Sequence, residues 1–323
     1  MKFKQLFFTV GVLSLLVILS ACRKEATENK GQVKVGIIQY AKHPALDASR
    51  KGFIEALRDG GYKEGKNLQI TSKNAQGEQA NLQTMVDQLT GKNDLNFAIA
   101  TPAAQALLTS DPDTPAVFTA VTDPVGAGLV DSMEKPGKNM TGSIDAGNVP
   151  QQVALLLKAV PTSKKVGIFY NSSEVNSQMQ AKEAKKALKK KGIIAVEKTV
   201  TTSNDVQQVM TSLVGQVDAV YLPTDNTVAS TAMTIGQILK ENKTPAVGSD
   251  KAYLDAVLFT SGVDYEAIGR QAGEEAVAIL NGKKASTIAV AKPEKPELAI
   301  NKDMAKSLGL NPKELEKQLV ESK

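Results

Sequence analysis

The chain repeats itself, and the repeat constrains its fold more than any other feature. Thr114-Pro115-Ala116-Val117 recurs identically as Thr244-Pro245-Ala246-Val247, 130 positions on. Val35-Gly36-Ile37-Ile38-Gln39-Tyr40 is echoed by Val166-Gly167-Ile168-Phe169-Tyr170-Asn171, 131 positions on. Between these, Asp94–Thr101 corresponds to Asp218–Asp225 at a spacing of 124. Three matches in one order and at nearly one spacing describe two halves of similar topology. Within the first half, apolar runs at Val33–Tyr40, Leu68–Thr71, Leu95–Ala100 and Ala116–Val121 alternate with helical patterns at Pro44–Gly60, near Gln79–Leu89 and from Pro102. Alternation of this kind predicts βαβ units and parallel sheets, hence an α/β fold of two Rossmann-like lobes.

In an open α/β sheet, ligands bind beyond the carboxyl ends of the strands. Here those ends are polar: Gln39-Tyr40, Thr101-Pro102-Ala103 and Thr122-Asp123-Pro124 in the first half, and Asn171 to Glu174, Thr224-Asp225-Asn226 and Ser249-Asp250 in the second. Such residues also cap helices. The two roles coexist, because the free amides of a helix N-terminus receive anions. Six polar strand ends in two matching lobes point to a binding cleft.

Residues 1–21 read as an export signal: Lys2 and Lys4, an apolar run from Leu6 to Leu19, then small residues. Leu19-Ser20-Ala21-Cys22 resembles the lipobox of bacterial lipoproteins, in which the cysteine thiol is acylated and becomes the new N-terminus. The alternative is an ordinary signal with an incidental cysteine. Residues 22–32 are polar and aperiodic, as in a tether. The expectation is a protein lipid-anchored outside the cell membrane of a Gram-positive bacterium.

Composition narrows the chemistry. With one Cys and one His, the chain has no Cys-rich zinc site, His-pair metal site or iron–sulfur cluster. Without the leader, its 39 Lys+Arg fall to 37 against 34 Asp+Glu. Only Arg23, Arg50, Arg58 and Arg270 are arginines, an argument against nucleic-acid readout. The basic run Lys182–Lys191 has Ala184, Ala187 and Leu188 at helical spacing and reads as a solvated helix face. Gly60-x-x-x-x-Gly65-Lys66 imitates a phosphate loop, but Asn67 stands where Ser or Thr would hold magnesium, and the segment follows a helix. No Gly-x-Ser-x-Gly elbow accompanies the single His. The expectation is a binding protein without catalytic residues, cofactor or metal.

The run Gln39-Tyr40-x-x-His43-Pro44-Ala45-Leu46-Asp47 resembles the first strand–helix junction of a family of ABC-transporter solute-binding lipoproteins associated with tryptophan, tyrosine and related amino acids. The resemblance continues through Asn74-Ala75-Gln76-Gly77, Thr101-Pro102-Ala103-Ala104-Gln105, Val121-Thr122-Asp123-Pro124 and Tyr170-Asn171-Ser172-Ser173-Glu174-x-Asn176-Ser177 to Asp225-Asn226. It implies a type I periplasmic-binding fold whose lobes, joined by a hinge, close over a small molecule. By analogy, residues 33–142 with about 262–285 form lobe 1, and residues 143–261 with about 286–323 form lobe 2. The partners it implies are an ABC permease and a separate ATPase subunit, with the binding protein itself a monomer.

An amino acid needs donors for its carboxylate, acceptors for its ammonium and a pocket for its side chain. Thr101, Ala103 and Thr122 are candidates for the first role, and Asp123, Glu174 and Asp225 for the second. Tyr40 and Tyr170 are candidate side-chain walls. His43 is either a ligand donor or a support for the helix start beside Pro44. Gln39, Asp47, Asn171, Ser177, Asn226 and Asp250 complete the candidate site. A sugar or nucleoside is the competing ligand class, and ligand sensing for a membrane receptor the competing role.

Overall fold

The computed structural model describes residues 31–320. The leader over 1–21, Cys22 and nearly all of the tether lie outside the described residues. The first half runs β1 (Val33–Gln39), α1 (Pro44–Asp59), β2 (Leu68–Asn74), α2 (Gln79–Asp87), β3 (Leu95–Ile99), α3 (Thr101–Ser110), β4 (Ala116–Val121) and β5 (Met140–Ile144). There follow α4 (Val149–Ala159), β6 (Lys165–Asn171), α5 (Val175–Lys190), β7 (Ile194–Val200), α6 (Val206–Val214) and β8 (Ala219–Leu222). The chain continues through α7 (Asn226–Ser230), α8 (Ala232–Glu241), β9 (Ala246–Gly248), β10 (Phe259–Gly262) and α9 (Tyr265–Leu280). It ends with β11 (Glu297–Ile300), α10 (Lys302–Ser307) and α11 (Pro312–Val320).

The strands form two sheets, ordered β2-β1-β3-β4-β5 and β11-β10-β9-β8-β6-β7. Every pairing is parallel except β10 with β11. Read from β7, the second sheet reproduces the order of the first, with β11 added at its edge. The sequence repeat is therefore a repeat of topology, with β1, β3 and β4 matching β6, β8 and β9. Central strands such as β3 and β4 are buried at every residue, as parallel strands covered on both faces must be. The chain passes between the sheets three times: after β5, after β10, and between the 3₁₀ turn Ala285–Thr287 and β11.

Helix α1 shows how sequence and packing cooperate. Pro44 opens it behind His43, and Leu46, Ser49, Phe53, Ala56 and Leu57 form one buried face. Phe53 stacks on Phe97 of β3, with ring centroids 3.7 Å apart. The returning helix α9 lies against α1 with almost no side chain between their backbones. A Cβ on Gly52 would fall on the Glu266 carbonyl, and one on Gly269 on the Ser49 carbonyl. This close approach fixes α9, which follows a strand of the second sheet, to the first lobe. No helix among the described residues is long and apolar enough to cross a membrane.

Candidate functional site

The first lobe contributes the ends of β1, β3 and β4. Gln39 is fully buried, and its Nε2 donates to the Ala41 carbonyl (2.8 Å) and to Asp47 Oδ1 (2.9 Å). Its Oε1 is buried and has no partner. Tyr40 is buried and donates through Oη to the Gly77 carbonyl at 3.0 Å. Burial, then the charges of Glu174 and Asp225, raise its pKa. Ala100, just after β3, has a φ of 84°, a left-handed value rare for a side-chain-bearing residue. It sets the start of α3, where Thr101 and Ala103 are buried.

The second lobe supplies a network of buried carboxylates. Glu174, fully buried, accepts at Oε2 from the Asn226 amide nitrogen (3.1 Å), Asn226 Nδ2 (2.6 Å) and Asn176 Nδ2 (3.4 Å). Its Oε1 accepts from the Thr227 amide (3.1 Å) and hydroxyl (3.2 Å). Asp225 caps α7 through Val228 N (2.8 Å) and also accepts from Asn171 N (2.7 Å). Burial first, and then the Asp225 charge, push the Glu174 carboxyl up to about 8. The Asp225 carboxyl is also raised, mainly by burial. Ser177 and Asn176 both donate to the Thr224 carbonyl, and Asn171 Nδ2 to Thr227 Oγ1.

One contact fixes the chemistry where the lobes meet. His43 Nε2 lies 3.4 Å from Asn226 Oδ1. Because Asn226 gives its Nδ2 to Glu174, its Oδ1 is an acceptor and His43 Nε2 carries the hydrogen. Burial lowers the His43 pKa to about 4, so the ring is neutral and Nδ1 is a bare lone pair. That atom, Asn176 Oδ1 and Gln39 Oε1 are buried acceptors without partners. Buried acceptors at the strand–helix junctions of both lobes are thus left without partners, an arrangement that suits a ligand rich in N–H or O–H donors.

Other candidates stand apart from this network. Asp47 is partly exposed, holds Gln39 and lies 3.6 Å from Arg50, so it positions Gln39. Asp123 accepts from Gly126 N (2.8 Å) and closes a surface turn. The Tyr170 ring packs in the second-lobe core with residues of α5, and its hydroxyl donates to Glu197 Oε1 (2.7 Å). Thr122 and Asp250 belong to a second cluster between the lobes. Thr122 donates to Asp145 Oδ1 (2.9 Å), and Tyr265 Oη lies 3.0 Å from Asp145 Oδ2 and 2.7 Å from Asp250 Oδ2. Asn176, Asp145, Tyr253 and Tyr265 were not among the candidates. Asn176 sits inside the Asn171–Ser177 motif, which was its signal. Asp145 and Tyr265 lie on crossovers that no repeat marks.

Among the described residues, no group of His, Cys, Asp and Glu is placed to hold a metal ion. A cavity of about 410 Å³ on the second lobe, lined by Leu155, Leu298 and Leu319 with Lys158 and Lys295, shares no residue with the network.

Comparison with known proteins agrees with this geometry. The chain is 41% identical over 286 residues to a tyrosine-binding protein of Clostridioides difficile strain R20291, covering 88% of this chain and 83% of that one. A Streptococcus pneumonia ABC domain solved in complex with L-Trp superposes with a TM-score of 0.84 at 34% identity, covering 89% of this chain and 98% of that one. A ligand-free, open substrate binding protein with adhesive properties from Clostridium difficile gives 0.65 at 42% identity, covering 86% and 95%. The better superposition at lower identity puts the lobe arrangement nearer to that of the tryptophan complex. The fold is the type I periplasmic-binding fold. The model of the ABC transporter substrate binding protein family matches residues 34–321, and the chain, with its two matching lobes, belongs to that family.

Proposed function

We infer that this protein captures a free aromatic amino acid, of the tyrosine or tryptophan kind, between its lobes and delivers it to an ABC permease energised by a separate ATPase subunit. The observation that carries the reading is the set of buried, unpartnered acceptors Asn176 Oδ1, His43 Nδ1 and Gln39 Oε1 at the strand–helix junctions that also hold the buried Glu174 carboxyl. A cation favours the ionised form of a buried carboxyl, and a primary ammonium brings one positive charge and three N–H donors. The ligand carboxylate is assigned to the first-turn amides of α3, whose N–H groups have no partner within the helix. The ligands of the Clostridioides difficile and Streptococcus pneumonia relatives support this class, as does the lobe arrangement shared with the tryptophan complex.

Closure in this reading is driven by the ligand's stronger binding to the closed state, with lobe 1 comprising residues 33–142 and about 262–285. The protein acts outside the cell membrane as a monomer, held by a lipid on Cys22, and transforms nothing. The lipobox-like Leu19-Ser20-Ala21-Cys22 supports the anchor. Cys22→Ala is expected to release the protein from the membrane fraction. Thermal-shift screening of ligand-stripped protein tests the ligand class: L-tyrosine or L-tryptophan raises the melting temperature with concentration. Stabilisation by a sugar or nucleoside and by no amino acid contradicts it.

A further inference from the structure

Three oxygen atoms line up where the chain crosses between the lobes. Asp145 begins the crossover after β5, Tyr265 ends the one after β10, and Asp250 follows β9 in the second sheet. Tyr265 Oη sits between the two carboxyls, 3.0 Å from Asp145 Oδ2 and 2.7 Å from Asp250 Oδ2. All three residues are buried. The other carboxyl oxygens are occupied by donors, Asp145 Oδ1 by the Thr122 hydroxyl and Asp250 Oδ1 by the Ala252 amide.

The hydroxyl has one hydrogen and can donate it fully to one carboxyl only. The second short O···O contact is attractive only if the other carboxyl carries a proton and donates it to Oη. Two ionised carboxylates here would instead repel across a buried gap. The neighbouring cations are turned away: Lys251 Nζ to Glu297 (2.6 Å) and Lys51 Nζ to Glu266 (2.9 Å). On the other packed elements, Asp264 caps α9, Ser49 Oγ holds the Tyr265 carbonyl, and Tyr253 donates towards the Pro223 and Asp225 carbonyls.

We propose that Asp145, Tyr265 and Asp250 form a proton-dependent hinge latch: one proton shared by the three holds the crossovers in the arrangement seen here, and its loss drives Asp145 and Asp250 apart and loosens the lobes. Burial, with the mutual charge adding at Asp145, raises both carboxyls to about 6, whereas the Tyr265 hydroxyl is pushed well above its usual value and keeps its hydrogen. A carboxyl pKa raised in this arrangement favours it fully below about pH 4, and the preference is lost as pH rises through about 6.

The test uses the full chain, ligand-free, with carbon-13 in the aspartate carboxyls, titrated by NMR from about pH 8 to 4. Because no ligand is present, its outcome is independent of which molecule the cleft takes. Two coupled aspartate signals are expected, at least one with a midpoint above about 5.5. In Asp250→Asn the remaining signal falls towards the ordinary range, because the amide supplies a hydrogen to Oη in place of the proton; Tyr265→Phe separates the pair differently and also breaks the coupling. Small-angle scattering reads the lobes: between pH 5 and 7.5 the wild type should expand more than Asp250→Asn, with His43, Glu174 and Asp225 common to both. Ionisation of both Asp145 and Asp250 by about pH 4.5, whatever the raised Asp225 does, overturns the shared proton. Identical scattering responses in wild type and Asp250→Asn overturn the latch.

Discussion

His43 Nε2 of the first lobe stands 3.4 Å from Asn226 Oδ1 of the second, and Asn226 in turn holds Glu174 through Nδ2 at 2.6 Å. Glu174, the counter-charge proposed for the ligand, is thereby tied to the first lobe through one amide side chain. Asn226→Ala removes both contacts and leaves Glu174 short of a donor. Affinity for L-tyrosine or L-tryptophan, measured by calorimetry, is expected to fall by about 10- to 100-fold, or 1.4 to 2.7 kcal/mol. Circular dichroism should show the fold retained.

Glu174 is expected to exchange a proton for the ligand. Its carboxyl, raised to about 8, is largely protonated at neutral pH in the ligand-free protein, and the incoming ammonium favours the ionised form. Binding at pH 7 should release close to one proton per ligand, read from calorimetry in buffers of different ionisation enthalpy. The sign follows: through this group, affinity weakens as pH falls below about 8. Glu174→Gln should abolish the proton release and cost at least about 100-fold in affinity, since it removes the partner of a buried charge.

The His43 pKa shifts the other way, but its contribution also weakens on acidification. Burial holds its pKa at about 4, below the ordinary value of 6.5, so the neutral ring is favoured where the lobes meet. This contribution is present above about pH 6.5 and is lost as pH falls through about 4. In His43→Gln, acidification from about pH 6.5 to 4.5 should cost the ligand-bound protein less stability than it costs the wild type. Melting curves across that range check this.

Glu275 offers a test outside the cleft. It is buried on α9 with Oε2 unpartnered, and burial raises its carboxyl to about 8. A raised carboxyl stabilises the fold fully below about pH 4.5, with the gain lost as pH rises through about 8. Glu275→Gln removes that loss and should stabilise the protein by about 1–3 kcal/mol at pH 7.5, with the gain vanishing near pH 4.5. Denaturant unfolding at the two pH values measures it.

The α1–α9 contact predicts a large effect from one methyl group. In Gly269→Ala the new Cβ lands on the Ser49 carbonyl, a backbone atom that cannot swing aside. The expected loss is about 2–4 kcal/mol in chemical unfolding, from overpacking at a helix crossing.

The strand-end residues Asn171, Glu174, Ser177, Asp225 and Asn226 were legible in sequence because a parallel sheet must bring its carboxyl ends together. Tyr170, next to Asn171 on β6, faces the other side of the sheet, and its hydroxyl goes to Glu197. Asp123 carries a carboxyl like its neighbours in space, but the local turn to Gly126 claims it. Asp145 and Tyr265 were illegible because they meet only through crossovers separated by 120 positions, which local periodicity does not encode. Asn148, Asp264 and Asn301 cap helices α4, α9 and α10, so the same residue types also served the capping role.

The central claim is that the buried Glu174 carboxyl, together with the unpartnered acceptors of Asn176 and His43, takes up an ammonium. The most direct measurement is calorimetric titration of ligand-stripped protein with L-tyrosine and with 3-(4-hydroxyphenyl)propionate, which differs only in lacking the amine. The amino acid is expected to bind and its deaminated analogue to bind at least about 100-fold more weakly. Equal affinity for the two would contradict the account.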